Sequence, residues 1–91
     1  MTDELEIDGV LDLHRFRPED TRDLVSDWLE ECRERGILEV KIVHGKGIGV
    51  QREIVQGVLR RHPGVVRFGP AHDASSWGAT VATLHPPLGD G

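Results

Sequence analysis

Apolar residues recur along the chain in two rhythms. Val10, Leu11 and Leu13 form a short run, and Val40, Ile42 and Val43 form another. Leu24, Val25, Trp28, Leu29 and Cys32 recur instead at three- and four-residue spacing, as do Ile54, Val55, Val58 and Leu59. The short β-branched runs predict strands, and the wider spacing predicts helices with one buried face. The first strand is expected over residues 9–13. A helix follows, opened by Pro18, with Glu19 and Asp20 near its positive dipole end and Gly36 as its left-handed stop. A second strand spans 39–43 and a second helix about 50–61, stopped by His62-Pro63-Gly64. Strands at 65–68 and 79–84 complete the pattern, separated by a polar, glycine-flanked loop at 69–78. The order βαβαββ predicts an α/β two-layer sandwich with both helices on one face.

Ninety-one residues suit one domain, expected at 9–85, with a flexible acidic leader at 1–8 and a loose tail at 86–91. The acidic start lacks the basic and apolar regions of a signal peptide, and no apolar run approaches the ~18 residues of a membrane span. A lone cysteine, Cys32, excludes an internal disulfide framework and a multi-cysteine zinc site. A cytoplasmic protein without membrane partners is the resulting expectation. The net charge of −5 is unevenly spread. Thirteen acidic side chains lie within residues 1–39, whereas residues 40–70 hold six basic ones and only Glu53 as an acid. A basic face on an acidic body suits a polyanion held with strong salt sensitivity.

Two motifs sit at the carboxyl ends of the first two strands: Leu11-Asp12-Leu13-His14 and His44-Gly45-Lys46-Gly47-Ile48-Gly49. Ligands in open α/β sheets gather at that edge. The second motif also opens a helix, whose free amides and dipole favour an anion. The loop lacks the Ser or Thr that follows lysine in a P-loop and the full GxGxxG spacing of a dinucleotide fingerprint, which argues against nucleotide cofactors.

Asp12 and His14 alternate along a strand, so they are expected to point the same way and meet. A carboxylate-held imidazole suits the base or the acid of phosphodiester cleavage; the plainer role is a local backbone cap beside a strand-end histidine. His44 is either a second imidazole of an acid–base pair or a structural histidine locking the junction through a backbone hydrogen bond. Gly45, Gly47 and Gly49 allow close approach of a phosphate, and Lys46 supplies a point charge; the alternative is a tight turn with an exposed lysine. Arg52, in the first turn of the second helix, is placed to grip a phosphate backbone, whereas Arg60 and Arg61 answer the dipole at the far end. Trp28 and Cys32 belong to the core. Trp77 either stacks on a base or packs, and His62, His72 and His85 show no partner pattern.

These motifs, with Gly78-Ala79-Thr80-Val81, resemble the Smr (small MutS-related) domain family over residues 9–84. The resemblance implies a four-stranded mixed sheet of order 1-2-4-3 with strand four antiparallel, similar to the C-terminal domain of bacterial translation initiation factor three. It also implies a stand-alone Smr-like domain, a nucleic-acid partner and endonuclease chemistry. In that scheme Asp12, His14 and His44 are catalytic, and Gly45, Lys46, Gly47, Gly49, Arg15 and Arg52 bind substrate. RNA cleavage by histidine needs no metal or cofactor, whereas DNA cleavage needs activated water and admits a divalent metal. Three positions depart from the pattern. Arg15 replaces a usual glycine, which strains the turn if the backbone there has a positive φ and otherwise adds a cation at the site's lip. Val50-Gln51-Arg52 stands where leucine-arginine is usual, and Trp77 replaces another glycine. The rival readings are a non-catalytic nucleic-acid-binding module and a protein-interaction domain using the acidic first helix.

Lys46 and Arg60 test whether charge acts locally. Lys46→Ala is expected to weaken nucleic-acid binding and lower the salt slope by about one. Arg60→Ala should cost only a few tenths of a kcal/mol in helix stability. Equal binding losses in salt titrations of the two variants would show diffuse charge instead.

Overall fold

A computed structural model describes residues 8–45, 49–71 and 78–87. Its elements are β1 (Val10–Asp12), α1 (Pro18–Glu34), β2 (Glu39–Val43), α2 (Val50–Arg61), β3 (Val65–Pro70) and β4 (Ala79–Leu84). The sheet order is β1-β2-β4-β3. β1 runs parallel to β2, and β4 runs antiparallel to both β2 and β3. Residues 1–7 of the leader expected at 1–8, and residues 88–91 of the tail expected at 86–91, lie outside the described residues.

Strand alternation decides which face is covered. Leu11 and Leu13, Val40 and Ile42, and Ala82 and Leu84 share the inner face. Val25, Trp28, Leu29 and Cys32 of α1 and Val55 and Leu59 of α2 join them in one buried cluster. Both helices therefore lie on a single face. The opposite face carries Val10, Asp12, Lys41, Val43, Val81 and Thr83, none of them fully buried. Among the described residues no helix is long and apolar enough to cross a membrane.

Two boundaries differ from expectation. β1 is shorter than residues 9–13, because the chain turns after Asp12, although the Leu13 N–H still donates to the Val43 carbonyl (2.9 Å). β3 extends two residues beyond Phe68, with Gly69 and Pro70 paired to Val81 and Thr80. Proline is tolerated there because β3 is an edge strand. The register also shifts between Val65 and Arg67, a bulge that leaves Val66 exposed on that edge.

At the far end from the β1–α1 turn, the Glu30 carboxylate receives hydrogen bonds from Arg33 (2.9 and 3.0 Å) and pairs with His62 Nε2 (2.9 Å). Arg33 Nε also donates to the His85 carbonyl (2.8 Å). α1, the end of α2 and the segment after β4 are thereby tied together. His62 and His85, which show no pattern in the sequence, thus have structural positions.

Ile42 is fully buried at the centre of the sheet, whereas Val10 on β1 is 50% exposed. Ile42→Ala is expected to cost about 2–5 kcal/mol and Val10→Ala within about 0.5 kcal/mol, as read from urea unfolding midpoints. Equal losses would place the core elsewhere.

Candidate active site at the carboxyl edge of the sheet

The parallel pairing of β1 with β2 brings the turn after β1 against the loop after β2. The Phe16 N–H donates to the Leu13 carbonyl (3.0 Å), closing a turn with His14 and Arg15 at its centre. A type II turn would need a positive φ at Arg15. Among the described residues no residue other than glycine has a positive φ, so arginine is accommodated there without strain.

Asp12 and His14 do meet, but not by strand alternation, which alone would leave successive same-face Cα atoms about 6.5 Å apart. The turn folds His14 back. One carboxylate oxygen, Asp12 Oδ1, accepts both the His14 backbone N–H (2.9 Å) and the ring Nδ1–H (2.6 Å). The backbone cap and the held imidazole are thus one arrangement. The backbone hydrogen bond from His14 is the main force holding the Asp12 carboxyl below its usual range, assisted by the ring and by the Arg15 charge. Since a carboxylate only accepts, Nδ1 carries the proton and Nε2 of the neutral ring presents a lone pair. Both side chains are 62% exposed.

The lone-pair nitrogen faces the second motif. A Cβ built on Gly45 would sit 3.3 Å from His14 Nε2, and the Gly45 φ is +85°. Close approach and backbone conformation both call for glycine at this position. Gly49, with φ +87°, is the N-cap of α2; no side chain caps that helix. The Gly45 N–H is not offered to a ligand, however, because it donates to the Gly78 carbonyl (2.9 Å). The same carbonyl accepts the His44 N–H (2.8 Å). Lys46, Gly47 and Trp77 lie outside the described residues.

His44 occupies a contrasting environment. It is 8% exposed, and its ring is engaged on both sides: Nδ1 lies 3.1 Å from the Gly45 carbonyl and Nε2 lies 2.9 Å from Thr80 Oγ1. A carbonyl only accepts, so Nδ1–H donates and Nε2 receives the Thr80 hydroxyl proton. Burial lowers the His44 pKa, opposed by the bond to Gly45 and reinforced by the Arg52 charge. His44 is therefore a neutral ring that fixes the loop to β4. Arg52 is exposed in the first turn of α2. Among the described residues no group of three or more His, Cys, Asp or Glu side chains is arranged to hold a metal ion.

Gln51, Thr21 and Thr80 are the positions that sequence reasoning missed. Gln51 Nε2 donates to the Phe16 carbonyl (2.9 Å), and its Oε1 lies 2.6 Å from the Thr21 hydroxyl. Thr21, fully buried, also faces the Arg17 carbonyl (2.9 Å). The start of α2 is thereby fastened to the turn after β1. The departure from the usual leucine at Gln51 was the available signal, and a polar residue amid the apolar positions of α1 was the signal for Thr21.

The fold and this edge define a two-layer α/β domain with an aspartate-held imidazole against a glycine loop. The family model described as the Smr domain matches residues 11–85, and the chain belongs to this family. It is 34% identical over 82 residues to the endonuclease MutS2 of Caldicellulosiruptor bescii, covering 89% of this chain and 10% of that protein. It is 40% identical over 76 residues to the putative endonuclease MutS2 of Bacillus subtilis, covering 81% of the chain and 10% of the relative. The chain thus spans about a tenth of the length of these relatives. Among solved structures, the Smr domain of Thermus thermophilus MutS2 superposes with a TM-score of 0.81 at 31% identity, over 87% of this chain and all of that one. YdaL, a stand-alone small MutS-related protein from Escherichia coli, gives 0.76 at 27% identity, over 85% and 64%.

A histidine kept neutral in the folded state contributes stability that is present above its unfolded pKa, about 6.5, and lost as pH falls through the lower folded value. Urea midpoints are expected to drop between pH 7.5 and pH 5, and His44→Gln should flatten that limb. An unchanged pH dependence in the variant would show that His44 does not contribute to it.

Proposed function

We propose that this chain is a nucleic-acid endonuclease domain in which His14 moves the proton. The observation that carries the reading is the ring's placement: Asp12 fixes Nδ1–H, and Nε2 is presented at an exposed edge against Gly45. An imidazole held by a carboxylate at one nitrogen, with a lone pair on the other, suits proton transfer to or from a phosphodiester oxygen. On RNA, Nε2 takes the proton of the 2′-OH as that oxygen attacks phosphorus, and a water molecule protonates the leaving 5′-oxygen as its bond to phosphorus breaks. On DNA the attacking oxygen belongs to water.

Lys46, Arg15 and Arg52 offset the charge that develops on the phosphoryl oxygens. Gly45, Gly47 and Gly49 let the phosphate approach the main chain. His44, with both ring nitrogens already engaged, acts by holding the loop in register with β4, a narrower role than a shared acid–base pair. The MutS2 relatives, named as endonucleases, support the reaction class. One observation favours a second reading, a non-catalytic nucleic-acid-binding module: of the two histidines, only exposed His14 has a ring nitrogen that no hydrogen bond among the described residues engages.

The test is incubation of the purified chain with supercoiled DNA and with a structured RNA, each with and without chelator. Cleavage is expected, and His14→Ala should slow it by at least about a hundred-fold with the fold retained. A variant that cuts as fast as the parent would remove His14 from the chemistry. A parent that binds but cuts neither substrate would establish the binding module.

A further inference from the structure

Phe16 is the one aromatic among the exposed large hydrophobic residues of the described chain, at 41% exposure. It lies two residues beyond His14, so their Cα atoms are at most about 7 Å apart. The usual explanation of an apolar residue at this position is a hydrophobic staple. Arg17 is the N-cap of α1, which makes Phe16 the preceding residue and Thr21 its expected partner in the first turn. Thr21 is polar, buried and occupied with the Arg17 carbonyl and Gln51, so it is not the apolar partner that a staple uses.

The backbone of Phe16 is nevertheless fixed on both sides. Its N–H donates to the Leu13 carbonyl, and its carbonyl receives the Gln51 amide. The flanking residues, Arg15 and Arg17, are exposed cations. A part-exposed ring on a backbone fixed at both ends, with an exposed arginine on either side in sequence and an imidazole placed for phosphate chemistry two residues away, has the character of a base-stacking platform.

We propose that Phe16 stacks on an unpaired nucleobase adjacent to the phosphate that His14 addresses, so that the chain takes single-stranded or locally unpaired nucleic acid rather than intact duplex. This rests on the nucleic-acid reading above and specifies its substrate class. In a duplex the base faces are stacked on their neighbours and unavailable to the ring, whereas every unpaired base offers one, with little regard to sequence.

The experiment measures binding separately from cleavage. His14→Ala protein, which leaves the probe intact, is titrated with a 2-aminopurine-containing single strand, as DNA and as RNA, and with the matching duplexes. Single strands are expected to bind tighter, with quenching of the 2-aminopurine emission. Adding Phe16→Ala should weaken single-strand binding at least about five-fold and abolish the quenching, while duplex binding stays unchanged. Phe16→Trp should restore both. Melting temperatures of the variants, expected to match because the ring is exposed, separate loss of stacking from loss of fold. Single-strand binding that does not depend on residue 16, or equal losses for both forms, would overturn the stacking role alone. Absence of binding to any of the four probes by the parent chain would overturn the nucleic-acid reading itself. The DNA and RNA arms show which sugar the platform accepts.

Discussion

The parallel pairing of β1 with β2 is the constraint from which the site follows. Register sets Asp12 beside Val43, and the bond from the Leu13 N–H to the Val43 carbonyl carries the pairing one residue past the strand. The turn after β1 and the loop after β2 must then leave the sheet side by side. Parallel strands require a crossover, and α1 supplies it while covering the inner face. The same helix that buries Val25, Leu29 and Cys32 thus returns the chain to the edge where His14 meets Gly45. Slipping the register by one residue would turn Asp12 inward and Leu11 outward, so core and site are specified together.

Within that frame, two histidines of similar sequence context have opposite surroundings. His14 is exposed, with one nitrogen bound to a carboxylate and the other presented outward. His44 is buried, with both nitrogens bound inside the protein and its neutral form favoured by burial. The difference comes from β4. Thr80 pairs with Ile42, and Gly78 gathers two loop amides on one carbonyl, so β4 draws His44 in, while among the described residues nothing comparable reaches His14. One ring organises, and the other is available for chemistry.

Periodicity carried much of the fold. α2 at 50–61 and the strands at 39–43 and 79–84 coincide with their expected limits, since local patterning and tertiary burial agree there. β1 and β3 differed at their ends because a turn hydrogen bond and an edge-strand pairing, neither of them periodic, decide where those strands stop. The candidate residues Asp12, His14 and Gly45 were legible as types, yet the geometry joining Asp12 to His14 was not, because it depends on the turn through Arg15. His44's partners were equally hidden. Thr80 lies 36 residues away in sequence, and only the β2–β4 pairing reveals the contact. The tie from Gln51 to Phe16 and Thr21 is of the same kind, a long-range polar contact that no local pattern encodes.

The site centres on a histidine whose tautomer is set by its neighbour. The direct measurement is ¹⁵N NMR of the His14 ring in the full chain and in Asp12→Asn, read alongside cleavage. A protonated Nδ1 and a lone pair on Nε2 are predicted for the neutral ring in the full chain. In Asp12→Asn the ring should relax towards the tautomer mixture of free histidine as cleavage falls. A His14 ring that already shows the free-histidine mixture beside an intact Asp12 would contradict the account.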